Sequence, residues 1–370
     1  MKLGEALSFR NGKTSPDRSE GGMYQVHGSN GVIGYCNQSN APAGATVIGR
    51  VGSYCGNVHF LQSDSWVTDN AIFAFPKADQ DPRYWYFVLC YLKLGKLRHG
   101  SGQPLLNQEI LSGVDFDTQT LSEQQRIAGV LGALDDKIES NQAVITRAEQ
   151  LIDEIAVQRA TDLPMVALSE VCSLSKSTWK PETSPDQTVQ LFSLPAFDEG
   201  ATPEQAAVAS IKSNKTLMDR PGILVSRLNP RISRMWWVET DAARVNVCSP
   251  EFAYLTAGDM HGLACTWLAV RSPEFRGEMV DRVTGTSGSH QRVRPADLMT
   301  IGVPDYRSLA EHIQATVLTL LHLVSDRRRQ SVALAELRDV LLPELMSGRM
   351  RVDEAGCLVS EALDEEVADV

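Results

Sequence analysis

Apolar or small residues recur at Ile127, Leu131, Leu134, Ile138, Ile145, Ala148, Ile152 and Ile155, with Asn141 completing steps that alternate four and three. That spacing predicts a long helix with a heptad seam. Thr120 or Ser122 can cap its start, Glu123 and Gln124 fall in the first turn, and Pro164 stops the pattern. Asn141 is a polar residue on the seam, of the kind that fixes register and strand number at some cost in stability. A second helix is predicted from about Ser308, with Ile313, Val317, Leu320, Val324, Leu334, Leu337 or Arg338, and Leu341 on its seam and Pro343 at its end. Its middle is weaker. Arg327 and Ser331 take seam positions there, and the run Ser325-Asp326-Arg327-Arg328-Arg329-Gln330 is polar throughout, so it is either solvated or covered by DNA or a partner protein.

Each predicted helix follows more than a hundred residues of short β-branched and aromatic runs set between Gly, Pro, Asn and Ser clusters, the signature of mixed strands, short helices and loops. The two halves repeat weakly. Leu3-Gly4-Glu5-Ala6-Leu7-Ser8 matches Leu168-Ser169-Glu170-Val171-Cys172-Ser173, and Val47-Ile48-Gly49-Arg50-Val51 matches Leu224-Val225-Ser226-Arg227-Leu228. Ser101-Gly102, Gly113-Val114 and Leu121-x-Glu123 match Ser287-Gly288, Gly302-Val303 and Leu309-x-Glu311, in the same order. The expectation is an α+β chain: a first globular module at 1–120, a helix at 121–163, a second module at 164–307, a second helix at 308–348 and an acidic tail at 349–370. Two helices of this length, paired as an antiparallel coiled coil, would hold the modules on the order of 50 Å apart, or about 15 base pairs of DNA.

Charge changes the picture only when it is divided. The whole chain carries −11, which argues against a nucleic-acid partner, but residues 1–120 balance ten basic against ten acidic side chains. Residues 212–244 hold seven basic against three acidic ones, and phosphate binding depends on a local patch. The stretch from Asp353 to Val370 has seven acidic side chains and no basic one, and reads as disordered. Seven cysteines without a CxxC pair point to reduced thiols in a cytoplasmic protein, and no apolar run approaches the roughly 20 residues of a membrane span.

Several segments together resemble the specificity subunit of type I restriction-modification systems: residues 24–35 (YQVHGSNGVIGY), 48–58 (IGRVGSYCGNV), 66–71 (WVTDNA), 101–107 (SGQPLLN), 121–128 (LSEQQRIA) and 342–349 (LPELMSGR). The resemblance covers essentially the whole chain, with Ser226-Arg227-Leu228-Asn229-Pro230-Arg231 standing in the second module where the first has its glycine-rich form. It implies two target-recognition domains, each reading one half of a split sequence in double-stranded DNA, with the paired helices as the ruler between them. It further implies docking of two methyltransferase subunits and, in a full complex, of motor-endonuclease subunits. S-adenosylmethionine would then belong to the partner methyltransferase, and this chain would hold no cofactor or metal and perform no chemistry.

The residues themselves offer little catalytic machinery. There is no GxxxxGK[ST] loop, and Asn229-Pro230-Arg231-Ile232 lacks the second proline and the aromatic residue of amino-methyltransferase motifs. Glu251, Asp259 and His261 could be drawn together as a metal or acid–base site, or simply be solvated loop residues. For DNA, Arg50 and Arg227 hold matching places in the repeat, where a guanidinium beside small residues can approach base edges or phosphate, or form a loop salt bridge. Arg231 and Arg234 add local positive charge beside Trp236 and Trp237, which read as core. Ser53 and Asn70 complete the first module's candidates, and Ser101, Gln103, Ser287, Ser289, His290, Gln291 and Arg292 lie in paired Gly-Ser loops suited to phosphate contacts. The rival reading is a coiled-coil scaffold whose globular ends bind proteins rather than DNA.

Overall fold

A computed structural model describes residues 1–77, 80–97, 105–181, 187–241, 243–283 and 291–364. It folds as two compact units, one formed by residues 1–138 with 333–370 and the other by 139–332. The unit boundary therefore crosses both long helices, Leu121–Ala160 and Glu311–Met346. Each globular module shares its core with the parts of both helices in its own unit, so modules and helices are not separate domains.

In the first unit, the strands Leu7–Asn11, Ala71–Pro76, Thr46–Gly49 and Val58–Phe60 lie side by side in that order, all antiparallel. A smaller sheet sets Tyr24–Gly28 between Gly31–Cys36 and a parallel neighbour, Ser65–Val67. The helix Pro82–Tyr91 starts where Asp81 accepts from the Tyr84 N–H at 2.8 Å, with proline in its first turn. It buries Tyr84, Trp85 and Phe87 in a core that also holds Ile127, Leu131 and Leu134 of the first long helix and Leu334, Leu341 and Leu345 of the second. Arg83 locks that helix down through a fork to Asp136 (2.6 and 3.0 Å) and the Gly132 carbonyl (3.0 Å). A Cβ at position 132 would sit 2.8 Å from this guanidinium, so a side chain there would have to displace the Arg83 fork.

The second unit repeats the plan. Ser173–Leu174, Phe252–Thr256, Gly222–Ser226 and Met235–Val238 form an antiparallel sheet in the corresponding order. A five-stranded sheet again contains a parallel pair, Thr188–Phe192 with Asn246–Cys248. The helix Met260–Arg271, capped by Asp259 on the Gly262 N–H (2.7 Å), packs against Ile152, Ala156 and Ala160 of the first long helix and Val317 and Leu321 of the second. Arg271 forks onto Asp153 at 2.6 and 2.5 Å. Trp236 and Trp237 are core residues, as the sequence suggests.

Within each unit the long helices run antiparallel, with Asp135 paired to Arg338 in one and Asn141 to Gln330 in the other. The seam holds with local shifts. Ile127, Leu131, Leu134, Asn141, Ile145, Val317, Val324, Leu334 and Leu341 are buried, while Ile138 and Leu320 are only partly so and Leu321 takes the inner place. Past Ile145 the buried positions are Ala148, Ile152, Ala156 and Ala160, in steps of four. A 3.6-residue turn makes that stripe rotate around the helix, away from the heptad seam that would have used Ile155 and onto the second module.

Three expectations are corrected. The polar run 325–330 is only partly solvated: Asp326 and Arg329 stay exposed, but the run is tied to the rest of its own unit. Asn141 donates to Gln330 Oε1 (2.7 Å) and Ser331 Oγ (3.3 Å), Arg328 binds Glu149 (2.7 Å), and Arg329 binds Glu239 at the end of a module strand (2.9 Å). Pro343 does not end the second helix, which continues to Met346 because Leu345 and Met346 are anchored in the first core; Gly348, at φ +70°, follows. The acidic tail is ordered from Val352 to Asp364 as a helix. Val352, Ala355 and Val359, spaced three and four apart, bury one face in the first core, and Asp353 pairs with Arg126.

Candidate nucleic-acid interface

The matched strands Thr46–Gly49 and Gly222–Ser226 each lead into an eight-residue loop, 50–57 and 227–234, before the next strand begins. The loops close in the same way. Gly49 N–H donates to the Asn57 carbonyl (2.8 Å) and Ser226 N–H to the Arg234 carbonyl (2.9 Å). Inside, Cys55 N–H bonds the Gly52 carbonyl (3.1 Å) as Ile232 N–H bonds that of Asn229 (2.9 Å). Both turns need a left-handed residue at the third position, supplied by Gly52 at φ +76° and by Asn229 at φ +48°.

The flanks agree as well. Arg50 N–H donates to the Asn70 carbonyl and Arg227 N–H to that of Glu251, each at 2.9 Å. The Arg50 and Arg227 carbonyls accept from the N–H groups of Leu106 and Val293, each at 3.0 Å. Elsewhere the repeat is displaced: Leu3 N–H bonds the Val114 carbonyl and Leu168 N–H that of Ile301, so the counterpart of Val114 is Ile301, not Val303.

Arg50, Ser53 and Asn70 are thus brought together at the first loop. Ser53 and Asn70 are exposed, whereas the Arg50 Nε is buried and meets no hydrogen-bond partner among the described residues. At the second loop Arg227 points inward, with its guanidinium on the carbonyls of Val293 (3.4 Å) and Pro250, and burial holds its pKa below the ordinary arginine value. Arg234 forks onto Asp198 (2.7 and 2.9 Å) and Arg292 onto Glu251 (2.9 and 2.8 Å). Arg231 is exposed at the tip and forms no ion pair among the described residues. Ser101, Gln103, Ser287, Ser289 and His290 lie outside the described residues. The residues that follow them, Leu105 and Arg292, bridge to Val51 and Leu228 at the start of the two loops.

The sequence reading overlooked Tyr54. It occupies the place of Arg231 and is 46% exposed. Carrying the Arg50/Arg227 match forward by four residues would have found it. Glu251 and Asp259 are taken up by Arg292 and by a helix cap, and no three His, Cys, Asp or Glu side chains gather as a metal site among the described residues. No described helix is long and apolar enough to cross a membrane.

Comparison with known proteins bears out the family resemblance. Residues 1–150 match the family model of the type I restriction modification DNA specificity domain. The specificity subunit of the type I restriction enzyme EcoprrI from Escherichia coli is 24% identical over 135 residues. That match takes in 36% of this chain and spans about a third (33%) of the relative's length. Among solved structures, the S subunit of a type I restriction-modification system from M. genitalium superposes with a TM-score of 0.58 at 14% identity, covering 93% of this chain and 95% of the other, a likeness of fold.

Proposed function

We propose, starting from the match of residues 1–150 to the type I restriction modification DNA specificity domain, that the chain as a whole is a DNA-specificity subunit with two reading modules. The observation that carries this reading is the equivalence of the two loops. The family match ends at residue 150, yet the second module has the corresponding sheet order, loop length, left-handed turn position and loop-closing bonds. A chain with one DNA-specificity module and a second built on the same frame is suited to a site in two parts. The loop sequences differ, GRVGSYCGN at 49–57 against SRLNPRISR at 226–234, so the two parts would differ in sequence. The long paired helices would set the spacing between them.

In this reading the chain performs no chemistry. It brings two methyltransferase subunits, which carry S-adenosylmethionine, to the DNA, and motor-endonuclease subunits join in the restricting complex in the cytoplasm. The DNA contacts would come from Ser53, Asn70, Arg231, Arg234 and Arg292 and from the paired Gly-Ser segments, with Arg50 and Arg227, which the sequence alone also offers, bracing the loops. Binding of the purified full chain, with the proteins that accompany it, to random duplex DNA across a salt series is the test. Enrichment of one split motif, with affinity falling steeply as salt rises, is expected from counterion release. Salt-insensitive binding without a motif would favour the scaffold reading.

A further inference from the structure

The loops 50–57 and 227–234 separate frame from contents. The frame is shared: the closing bond, the internal turn, the left-handed third residue, and an arginine at the first position whose backbone is bonded on both sides. That arginine is only partly exposed in both modules. Arg227 spends its guanidinium on two backbone carbonyls, and the Arg50 Nε is buried. Only one position is exposed in both loops, the fifth, occupied by Tyr54 and Arg231. Its neighbours differ between modules: Ser53 is exposed where Pro230 is buried, and Cys55 is buried where Ile232 is exposed.

We infer that Tyr54 and Arg231, rather than the matched arginines Arg50 and Arg227, are the specificity-determining residues of these loops, each reading base edges in one half of the site. An arginine without an ion-pair partner on a braced loop can present its fork to guanine O6 and N7, the commonest specific major-groove contact. An exposed tyrosine at the equivalent point offers a ring face and a hydroxyl, a different reader on the same mount. Keeping the mount and changing the reader is what two dissimilar half-sites require. Arg50 and Arg227 then act as framing residues that hold the loop to the neighbouring strand ends.

The inference rests on the DNA-reading function proposed above, and one selection experiment separates the two. The full chain, purified with its natural partners, is used to select from random duplexes as wild type, Tyr54→Ala, Arg231→Ala, Arg231→Lys and Arg227→Lys, with a thermal melt for each. Tyr54→Ala should relax base preference in one half only and Arg231→Ala in the other, each by roughly 10- to 100-fold in discrimination and with unchanged melting. Arg231→Lys should restore overall affinity but not discrimination, since lysine lacks the fork. Arg227→Lys should lower the melting temperature and leave the selected motif intact. A wild type that selects no motif overturns the DNA reading and this inference with it. A wild-type split motif that survives both alanine changes overturns the inference alone, as does loss of both halves together with reduced melting.

Discussion

The buried polar layer between the long helices in the second unit gives a prediction with opposite expectations for two substitutions at one site. Asn141 is 1% exposed and donates to Gln330 Oε1 at 2.7 Å and Ser331 Oγ at 3.3 Å. Asn141→Ala removes both bonds, each worth about 1 kcal/mol net, and leaves a small void, so a loss of about 2 kcal/mol is expected. Asn141→Leu removes the same bonds but gains about 1.5–3 kcal/mol of apolar burial. Its former partners are not stranded: Ser331 Oγ still donates to the Arg327 carbonyl (2.9 Å) and Gln330 Oε1 still accepts from Arg327 (3.4 Å). The leucine variant should therefore match or slightly exceed wild type and lie about 2 kcal/mol above the alanine variant. Urea unfolding followed by the fluorescence of Trp237 and Trp267, both in the second core, measures this directly. A leucine variant as unstable as the alanine one would refute the reasoning, because the layer would then be needed for its bonds and not for register.

Other consequences are open to the same methods. Val359→Asp, which places a charge in the first core at a position 4% exposed, should destabilise by about 3 kcal/mol, while Glu361→Gln on the exposed face of that helix should change little; equal effects would mean the helix is not docked. His27 has its pKa held down to about 4 by burial and by neighbouring His59. The unfolded chain therefore takes the proton first, and stability conferred by the neutral ring is complete above pH 6.5 and lost as pH falls from there towards 4. The slope is at most about 1.4 kcal/mol per pH unit. His27→Gln should flatten the difference between unfolding curves at pH 7 and pH 5, and an unchanged slope would count against the burial argument. Adding one heptad to each long helix beside the Asn141 layer should widen the gap in the selected motif by about three base pairs without altering either half. A change in the half-sites themselves would contradict the ruler.

What could be read from the sequence was what repeats locally. The heptad steps located both helices, and Arg50 and Arg227 aligned because each closes a β-branched run that forms a buried strand. The failures share a cause, which is that a partner distant in sequence decided the outcome. The triple arginine at 327–329 looks like a wholly solvated face until Glu149 and Glu239 are brought beside Arg328 and Arg329, although Arg329 stays exposed. The charge of the tail outweighed the three-and-four spacing of Val352, Ala355 and Val359, whose burial depends on a core built mostly by residues more than 200 positions earlier. Pro343 is tolerated because Leu345 and Met346 are held in that same core. Tyr54 is harder to see for a different reason: the repeat match reaches its position, but its exposure follows from a left-handed turn at Gly52, and Asn229 makes the same turn with no glycine to signal it.

The most direct test of two-part DNA specificity is methylome sequencing of the source cells with and without the gene, alongside identification of the proteins that co-purify with the chain. The account predicts that one split methylated motif disappears on deletion and that a methyltransferase is recovered with the chain. Methylation left intact, with no methyltransferase bound, would contradict it.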